Sequence, residues 1–198
     1  MNDVIKIGLT GGIGSGKTTI SKIFELLGIP VYNSDSNAKR LINSDEDLIN
    51  LYKKLFGADV YDGGELNTKK VAEIIFTNQD ILTQVEKMVH KAVRDDFEKW
   101  AKYQKSNFVM NEAAIMFESG GDKNMDYIIT VYAPKELRIQ RVVNRDDVTE
   151  KQVLNRMSKQ WEDQLKIQNS HFVIYADENK MVIPQVLNII SEIHEKHR

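Results

Sequence analysis

The residue pattern best suited to chemistry lies near the start of the chain, where Gly11-Gly12-Ile13-Gly14-Ser15-Gly16-Lys17-Thr18 satisfies G-x-x-x-x-G-K-[ST]. Glycines let backbone N–H groups turn toward an anion at positions where a Cβ atom would clash. The lysine supplies charge for β- and γ-phosphate oxygens, and the Thr18 hydroxyl is a ligand for Mg²⁺. The pattern predicts a nucleoside triphosphate site. The residues that we expect to bind the nucleotide are Gly12, Ile13, Gly14, Ser15, Gly16, Lys17, Thr18 and Thr19.

This loop motif occurs in several classes of protein, and other features of the chain separate them. A GTPase would usually carry an N-K-x-D base-reading motif and a D-x-x-G switch, and the sequence contains neither. A motor ATPase would usually be longer, and a nucleic-acid translocase more basic. The chain instead has an acid just past its second predicted strand, a helical insertion and an arginine-bearing segment. These are the parts that a small-molecule kinase needs.

The elements around the motif predict an open α/β sheet. Residues 4–9 have the composition of a buried strand, and the apolar stripe from Ile20 to Leu27 indicates a helix that ends at Gly28. A second strand is expected at residues 29–32, and this βαβ order predicts a parallel sheet. Further strands are expected at residues 108–110, 127–131 and 171–175.

The stretch from about Ser36 to Gln104 has helical periodicity and no strand pattern, so we expect a mostly helical insertion there. Asp62-Gly63-Gly64 marks a turn inside it. After the insertion, Pro134 suits the first position of a helix that runs to about Arg145. Thr149 and Gln152 have the spacing of a capping box.

Two acids follow predicted strands. Asp35 comes after the second strand, at the edge where open α/β sheets bind their ligands, so it is a candidate general base for an acceptor hydroxyl. The alternative is that Asp35 only caps a helix starting at Ser36. Glu112 follows residues 108–110, where an acid can hold Mg²⁺ through water; the alternative is a solvated acid at a strand end.

Two arginines share one predicted helix face, because Arg141 and Arg145 are four residues apart. A planar, permanently charged guanidinium suits the charge of a transferring phosphoryl group, or stacks on an adenine. The alternative is a surface arginine paired with Asp146, Asp147 or Glu150. Trp161 is expected to anchor the core.

The composition limits the classes of protein further. The chain has 198 residues, no cysteine, and 27 Lys and Arg against 29 Asp and Glu, for a formal net charge of −2. The absence of cysteine excludes thiolate catalysis, disulfides and Cys-ligated zinc. The lack of a basic surplus argues against a nucleic-acid partner. No long apolar run or signal peptide is evident, so we expect no membrane partner and a cytoplasmic location.

Over nearly its whole length the chain resembles the dephospho-coenzyme A kinases. The motifs that carry the resemblance are the run from Ile7 to Thr18, Asp35 with Ala38-Lys39, Glu65-Leu66, Glu86 to His90, Ile115-Met116-Phe117-Glu118, and Arg156-Met157-x-x-Gln160. Several positions depart from the family pattern. Among them, Asn33 stands where an aspartate is usual, and Ala176 where an asparagine is usual.

The resemblance implies a P-loop NTPase fold, in three layers, with a five-stranded parallel sheet, a helical acceptor-binding insertion and a helical lid. It implies phosphorylation of the ribose 3′-hydroxyl of dephospho-CoA by ATP with Mg²⁺, the last step of coenzyme A synthesis. It assigns catalysis to Asp35, Lys17 and Arg141, and a nucleotide contact to Arg145. Acceptor contacts are expected at Asp35, Lys39, Leu66, His90 and Glu118, and metal contacts at Thr18 and, through water, Glu112.

The expected organisation is one kinase domain. Its core would comprise about residues 1–35, 107–134 and 169–198, its acceptor-binding part about 36–106, and its lid about 135–168. We expect a monomer or weak homo-oligomer. Two alternatives remain open: a nucleoside monophosphate kinase, and a regulatory protein that binds a nucleotide without catalysis.

Overall fold

The structure is a computed structural model that describes residues 4–197, with the side chain of Thr77 excepted. Two compact units are distinguished within it. The first combines the described residues up to Asn33 with those from Tyr103 onward, and the second is Ser34–Lys102. Residues 135–168, which we expected to form a lid, fall within the first unit.

Residues 4–197 form seven strands, which are β1 (Ile5–Thr10), β2 (Val31–Asn33), β3 (Tyr61–Asp62), β4 (Glu65–Leu66), β5 (Phe108–Glu112), β6 (Tyr127–Tyr132) and β7 (Phe172–Tyr175). The same residues form nine α-helices, which are α1 (Lys17–Leu26), α2 (Ser34–Ser44), α3 (Glu46–Phe56), α4 (Thr68–Thr77), α5 (Gln79–Lys102), α6 (Lys135–Asp146), α7 (Glu150–Met157), α8 (Asp163–Gln168) and α9 (Val182–Lys196). Two short 3-10 helices are Ala58–Val60 and Gly121–Asn124.

The first unit is built on a five-stranded sheet in the order β2-β5-β1-β6-β7, in which every pairing is parallel. This confirms the predicted α/β fold and its parallel sheet. The strands consist largely of buried apolar residues because both faces of a parallel sheet are covered. Side chains of α1 and α9, among them Phe24 and Ile193, share one apolar cluster with Ile7, Leu9 and Met110 of the central strands.

Strand β1 lies at the centre, and the chain continues from it through the glycine-rich loop into α1. Its two neighbours in the sheet, β5 and β6, lie on opposite sides of it. A parallel sheet of this kind binds ligands outside the carboxyl ends of its strands, at the point where the strand order reverses. The fold therefore places the loop motif at the position where a ligand is expected.

Several local predictions hold, and the strand ends differ by a few residues. Thr149 and Gln152 form the capping box of α7, and Gly28, with φ +84°, follows Leu27, the C-cap of α1. Pro134 is the N-cap of α6, one position before the first helical position at which it was predicted. Strand β2 begins two residues later than predicted. Strand β5 extends two residues further than predicted, so it includes Glu112.

The second unit is mostly helical, as predicted, and it also contains two short strands for which the sequence showed no pattern. Strands β3 and β4 pair antiparallel across Gly63-Gly64, where both glycines have positive φ. Two residues are too few for an alternating pattern to be visible in the sequence. The Tyr61 hydroxyl donates to the carbonyl of Ile42 at 2.7 Å, which ties the hairpin to α2.

The structure corrects one further expectation, for Trp161, and one alternative, for Asp35. Trp161 is 41 % exposed and stacks on Phe117 with ring centroids 5.4 Å apart, so it is not a buried core anchor. Helix α2 begins at Ser34, which places Asp35 inside its first turn rather than at its N-cap. Within residues 4–197, no helix is both long enough and apolar enough to span a bilayer.

Candidate active site

The glycine-rich loop adopts a backbone shape that depends on glycine at several positions, among them Gly14 and Gly16. Gly14 has φ +80°, and Gly16, which precedes α1, has φ +100°. Residues with a Cβ atom rarely adopt such φ values, so glycine at these positions keeps the loop unstrained. Within the described residues, no acceptor takes the backbone N–H of Gly14 or Gly16. These two donors, with the positive end of α1, make the loop suitable for an anion.

Lys17 lies in the first turn of α1 and is 9 % exposed. Its ammonium group donates to the carbonyl of Gly11 at 2.8 Å and to that of Gly12 at 3.4 Å. Both acceptors belong to the loop, so the charge is held beside the N–H groups that the loop offers. A bound phosphate would compete with these carbonyls for the ammonium group, because charge-assisted hydrogen bonds are the stronger ones.

Glu112 joins three parts of the site. In the parallel ladders its Cα lies opposite Leu9 of β1 and Asn33 of β2. The residue is 5 % exposed, and its carboxylate accepts from the Thr18 hydroxyl and from the Asn33 amide, each at 3.1 Å. The burial of a carboxylate is costly unless hydrogen bonds compensate for it. The structure thus brings together Thr18 and Glu112, the two residues predicted to bind a metal.

Arg141 lies at the edge of a cavity of about 340 Å³ beside the loop. Gly16, Thr19, Ala176 and Val182 also line this cavity. The Arg141 guanidinium donates to the carbonyl of Ala176 and to the carboxylate of Glu178, each at 3.1 Å. The volume is in the usual range for small-molecule sites, about 300–1,000 Å³. The cavity adjoins the N-terminal turn of α1 through Thr19 and Ile20, next to the glycine-rich loop.

Arg145 does not share this cavity, although it lies on the same helix. It pairs with its neighbour Asp146 at 2.7 Å, and Arg156 pairs with the same carboxylate at 3.0 Å. The hydrogen bond from Arg145 lowers the pKa of Asp146, and Arg156 lowers it further. In this structure Arg145 has the surface pairing that we considered as the alternative. Its contact with a nucleotide stays a prediction.

Two buried cations near the loop were missed by the sequence interpretation. Arg138 is 6 % exposed, pairs with Asp163 at 2.7 Å, and lies so close to Gly12 that a Cβ there would overlap its guanidinium. Lys166 is fully buried and pairs with Glu118 at 2.9 Å. A usable sequence signal for Arg138 exists, since it lies four residues from Val142 on the buried face of α6. A charged residue on an apolar stripe requires a partner.

The acceptor residues predicted from the resemblance are distributed over both units. In the second unit, Asp35 and Lys39 are exposed on α2, Leu66 is partly buried in β4, and His90 is partly buried in α5. Glu118 belongs to the first unit. Its Oε1 accepts from the backbone N–H of Trp161 at 2.7 Å as well as from Lys166.

A glycine-rich loop between a central parallel strand and α1, with a buried acid one strand away, defines a P-loop protein that binds nucleoside triphosphates. The sequence model of the dephospho-CoA kinase family matches residues 5–181. The chain therefore belongs to the dephospho-CoA kinase family.

Individual relatives agree with this assignment. The chain is 37 % identical over 193 residues to a dephospho-CoA kinase of Bacteroides fragilis, covering 97 % of this chain and 94 % of that one. A crystal structure from Thermus thermophilus superposes with a TM-score of 0.81 at 26 % identity, covering 98 % of each chain. The structure of a dephospho-CoA kinase from Campylobacter jejuni gives a TM-score of 0.69 at 24 % identity, with the same coverage, and supports the fold.

His90 gives a prediction about stability and pH. Burial lowers its pKa, Arg94 lowers it further, and Glu86 partly opposes the shift. The unfolded chain, with a histidine pKa of about 6.5, therefore binds this proton more tightly than the folded protein. We expect the free energy of unfolding to fall as the pH decreases from about 7 through 6.5, and to stop falling once the pH is below the folded pKa.

Urea denaturation between pH 8 and 5 measures this effect, and His90→Gln should reduce the slope. His194→Gln, at an exposed position in α9, is the matched control. Equal slopes for His90→Gln and the unmodified protein would contradict the assignment.

Proposed function

We propose that this protein transfers the γ-phosphoryl group of ATP to the ribose 3′-hydroxyl of dephospho-CoA, giving CoA and ADP in the last step of coenzyme A biosynthesis. The observation that carries the proposal is a complete P-loop, with Thr18 hydrogen-bonded to the buried Glu112, in a chain that matches the dephospho-CoA kinase family over residues 5–181. In this transfer the acceptor oxygen forms a bond to Pγ as the bond from Pγ to the ADP oxygen breaks.

The nucleotide is bound by groups of the first unit. The N–H groups of Gly14 and Gly16 and the ammonium group of Lys17 receive the phosphates, and the cavity beside Arg141 receives the base. Lys17 acts on the transferring group because its charge lies where negative charge increases during the reaction. Preorganised charges of this kind contribute more than mobile ones, since they need no reorientation in the transition state.

Mg²⁺ is expected with ATP, and the residues present fit it. Thr18 offers a hydroxyl and Glu112 a carboxylate, and Mg²⁺ prefers oxygen ligands, usually one or two carboxylates with water and substrate phosphates. We propose that Thr18 binds the ion directly and Glu112 through water, with the Asn33 amide orienting the carboxylate. The ion would supply charge neutralisation at the β- and γ-phosphate oxygens.

Asp35 is the proposed general base. It follows Asn33, the last residue of β2, by two positions and lies in the first turn of α2. Its carboxylate would accept the proton of the 3′-hydroxyl as that oxygen attacks Pγ. Lys39, Leu66, His90 and Glu118 are the further proposed acceptor contacts. We also propose a cytoplasmic location and a monomer or weak homo-oligomer.

The direct test is phosphoryl transfer by the purified protein with ATP and Mg²⁺, using dephospho-CoA and nucleoside monophosphates as acceptors. CoA and ADP should form in equal amounts with dephospho-CoA, and ADP should form far more slowly with the monophosphates. Lys17→Ala should lower kcat by roughly 10²–10³-fold, because the positive charge that faces the γ-phosphoryl oxygens is lost. Lys22→Ala, on the exposed side of α1, is the control. Faster transfer to a monophosphate, or ATP binding without transfer, would contradict the proposal.

Asp35→Asn should lower kcat by roughly 10²–10⁴-fold while ATP affinity changes little, since a general base acts in the transition state. Asp47→Asn is a matched control because Asp47 also lies in the first turn of a helix of the second unit, α3. Steady-state kinetics and ATP titration give the two quantities. Equal losses in kcat and ATP affinity would indicate a structural role for Asp35.

Glu112→Gln should raise the Mg²⁺ concentration needed for half-maximal activity by about 10–100-fold, as observed when groups that orient metal ligands are lost. A glutamine has one acceptor oxygen, whereas the carboxylate serves both Thr18 and Asn33. A Mg²⁺ titration at saturating ATP measures the change, with Glu192→Gln on the exposed side of α9 as the control. An unchanged Mg²⁺ requirement would exclude Glu112 from the metal site.

A further inference from the structure

Residues 160–166, which we call the anchor segment, connect the glycine-rich loop with the residues that follow β5. The segment begins three residues after α7 and includes the first turn of α8. Four of its residues, Gln160, Trp161, Asp163 and Lys166, make long-range hydrogen bonds or ion pairs. Their partners lie in the loop, in residues 114–118 and in α6.

Gln160 uses both ends of its side-chain amide. Its Oε1 accepts from the backbone N–H of Ile13 at 2.9 Å, and its Nε2 donates to the carbonyl of Ala114 at 3.4 Å. Only the oxygen of an amide can accept from an N–H group, so the partners determine which way the amide points. The side chain therefore bridges the loop and a backbone position two residues beyond Glu112.

The position of Gln160 is held by its neighbours. The carbonyl of Ala114 also accepts from Lys166 at 3.0 Å, and Lys166 is fully buried against Glu118. Glu118 in turn accepts from the backbone N–H of Trp161, the residue next to Gln160. Buried ion pairs contribute little to stability on average, because desolvation offsets the attraction. Such a pair does require a fixed arrangement of its two side chains. The arrangement of Lys166 with Glu118 keeps Gln160 beside the loop.

A second contact reaches the adjacent loop residue. Asp163 pairs with Arg138, whose guanidinium lies against Gly12. The anchor segment thus acts on two consecutive loop positions, on Gly12 through Arg138 and on Ile13 through Gln160. The backbone N–H of Ile13 is already taken by Gln160, whereas those of Gly14 and Gly16 have no acceptor within the described residues.

We propose that Gln160 is a positioning residue for phosphoryl transfer, which rests on the function proposed above. It occupies the Ile13 N–H and fixes the first half of the loop against the residues after β5, so that the remaining N–H groups and Lys17 are preorganised for the phosphates. Sites held in place by locked supporting residues need less reorganisation during the reaction. The role does not require contact between Gln160 and ATP.

Gln160→Met tests this role, because methionine has a similar length and forms neither hydrogen bond. We expect kcat to fall about tenfold, the effect of losing one or two hydrogen bonds of ordinary strength in the transition state. The KM for ATP should change less than about twofold, since the Gly14, Gly16 and Lys17 groups remain. Gln164→Met, at an exposed position of α8 for which the structure describes no side-chain hydrogen bond, should match the unmodified enzyme.

Amide hydrogen exchange provides a readout that does not depend on catalysis. In the nucleotide-free protein the Ile13 amide should be protected, and Gln160→Met should remove that protection. Gln160→Glu keeps an acceptor for Ile13 but loses the donor to Ala114, so it should retain the protection with an intermediate kcat. This variant and the unmodified protein decide the question if Gln160→Met does not fold.

Three results would overturn the proposal: rapid exchange of the Ile13 amide in the unmodified protein, an unchanged kcat in Gln160→Met, or a loss that appears entirely in the KM for ATP. Failure of the proposed function is distinguishable from these results. In that case the unmodified protein would not phosphorylate dephospho-CoA, and the exchange of Ile13 would still decide whether Gln160 fixes the loop.

Discussion

The burial of β1 at the centre of the parallel sheet is the constraint on which the nucleotide site depends. Because β5 and β6 pair with it on both sides, the carboxyl end of β1 cannot shift without breaking two ladders. Helix α1 is held on the sheet by Ile20 and Phe24, which are 1 % and 0 % exposed. The loop between β1 and α1 is therefore fixed at both ends. Because its ends are fixed, the glycine backbone can hold its N–H groups in place as an anion site.

The same ladders place the charged groups. Leu9 and Asn33 lie opposite Glu112 in the sheet, so the register of three strands sets where the carboxylate meets the Thr18 hydroxyl. A chain with a net charge of −2 therefore brings Lys17, Arg138 and Lys166, each at most 9 % exposed, into one region of the first unit. Burial in a low-dielectric site strengthens electrostatic interactions, so the local arrangement matters more for phosphate than the overall charge.

The sequence predicted those features that depend on local rules. The loop motif, the glycine after α1 and the capping box of α7 each require particular residue types at fixed spacing, and the structure contains all three. The sheet followed from the βαβ pattern and the resemblance. Features that depend on distant partners were missed. Arg138 and Lys166 look like surface cations until Asp163 and Glu118 are brought beside them. For Arg145 the sequence left two interpretations open, and the structure shows the pairing with Asp146.

Some backbone N–H groups of the loop donate to protein acceptors, and others are left for a ligand. The N–H of Ser15 donates to the carbonyl of Gly12 within the loop, and that of Ile13 donates to Gln160. Gly14 and Gly16, whose N–H groups have no acceptor within the described residues, both have positive φ. Because buried backbone donors are almost always paired, a donor left without a protein partner in a concave loop is available to an anion. The glycine-rich motif specifies the N–H groups that face the ligand. The N–H group of Ile13 faces the protein instead, and its acceptor, Gln160, lies about 150 positions away in the sequence.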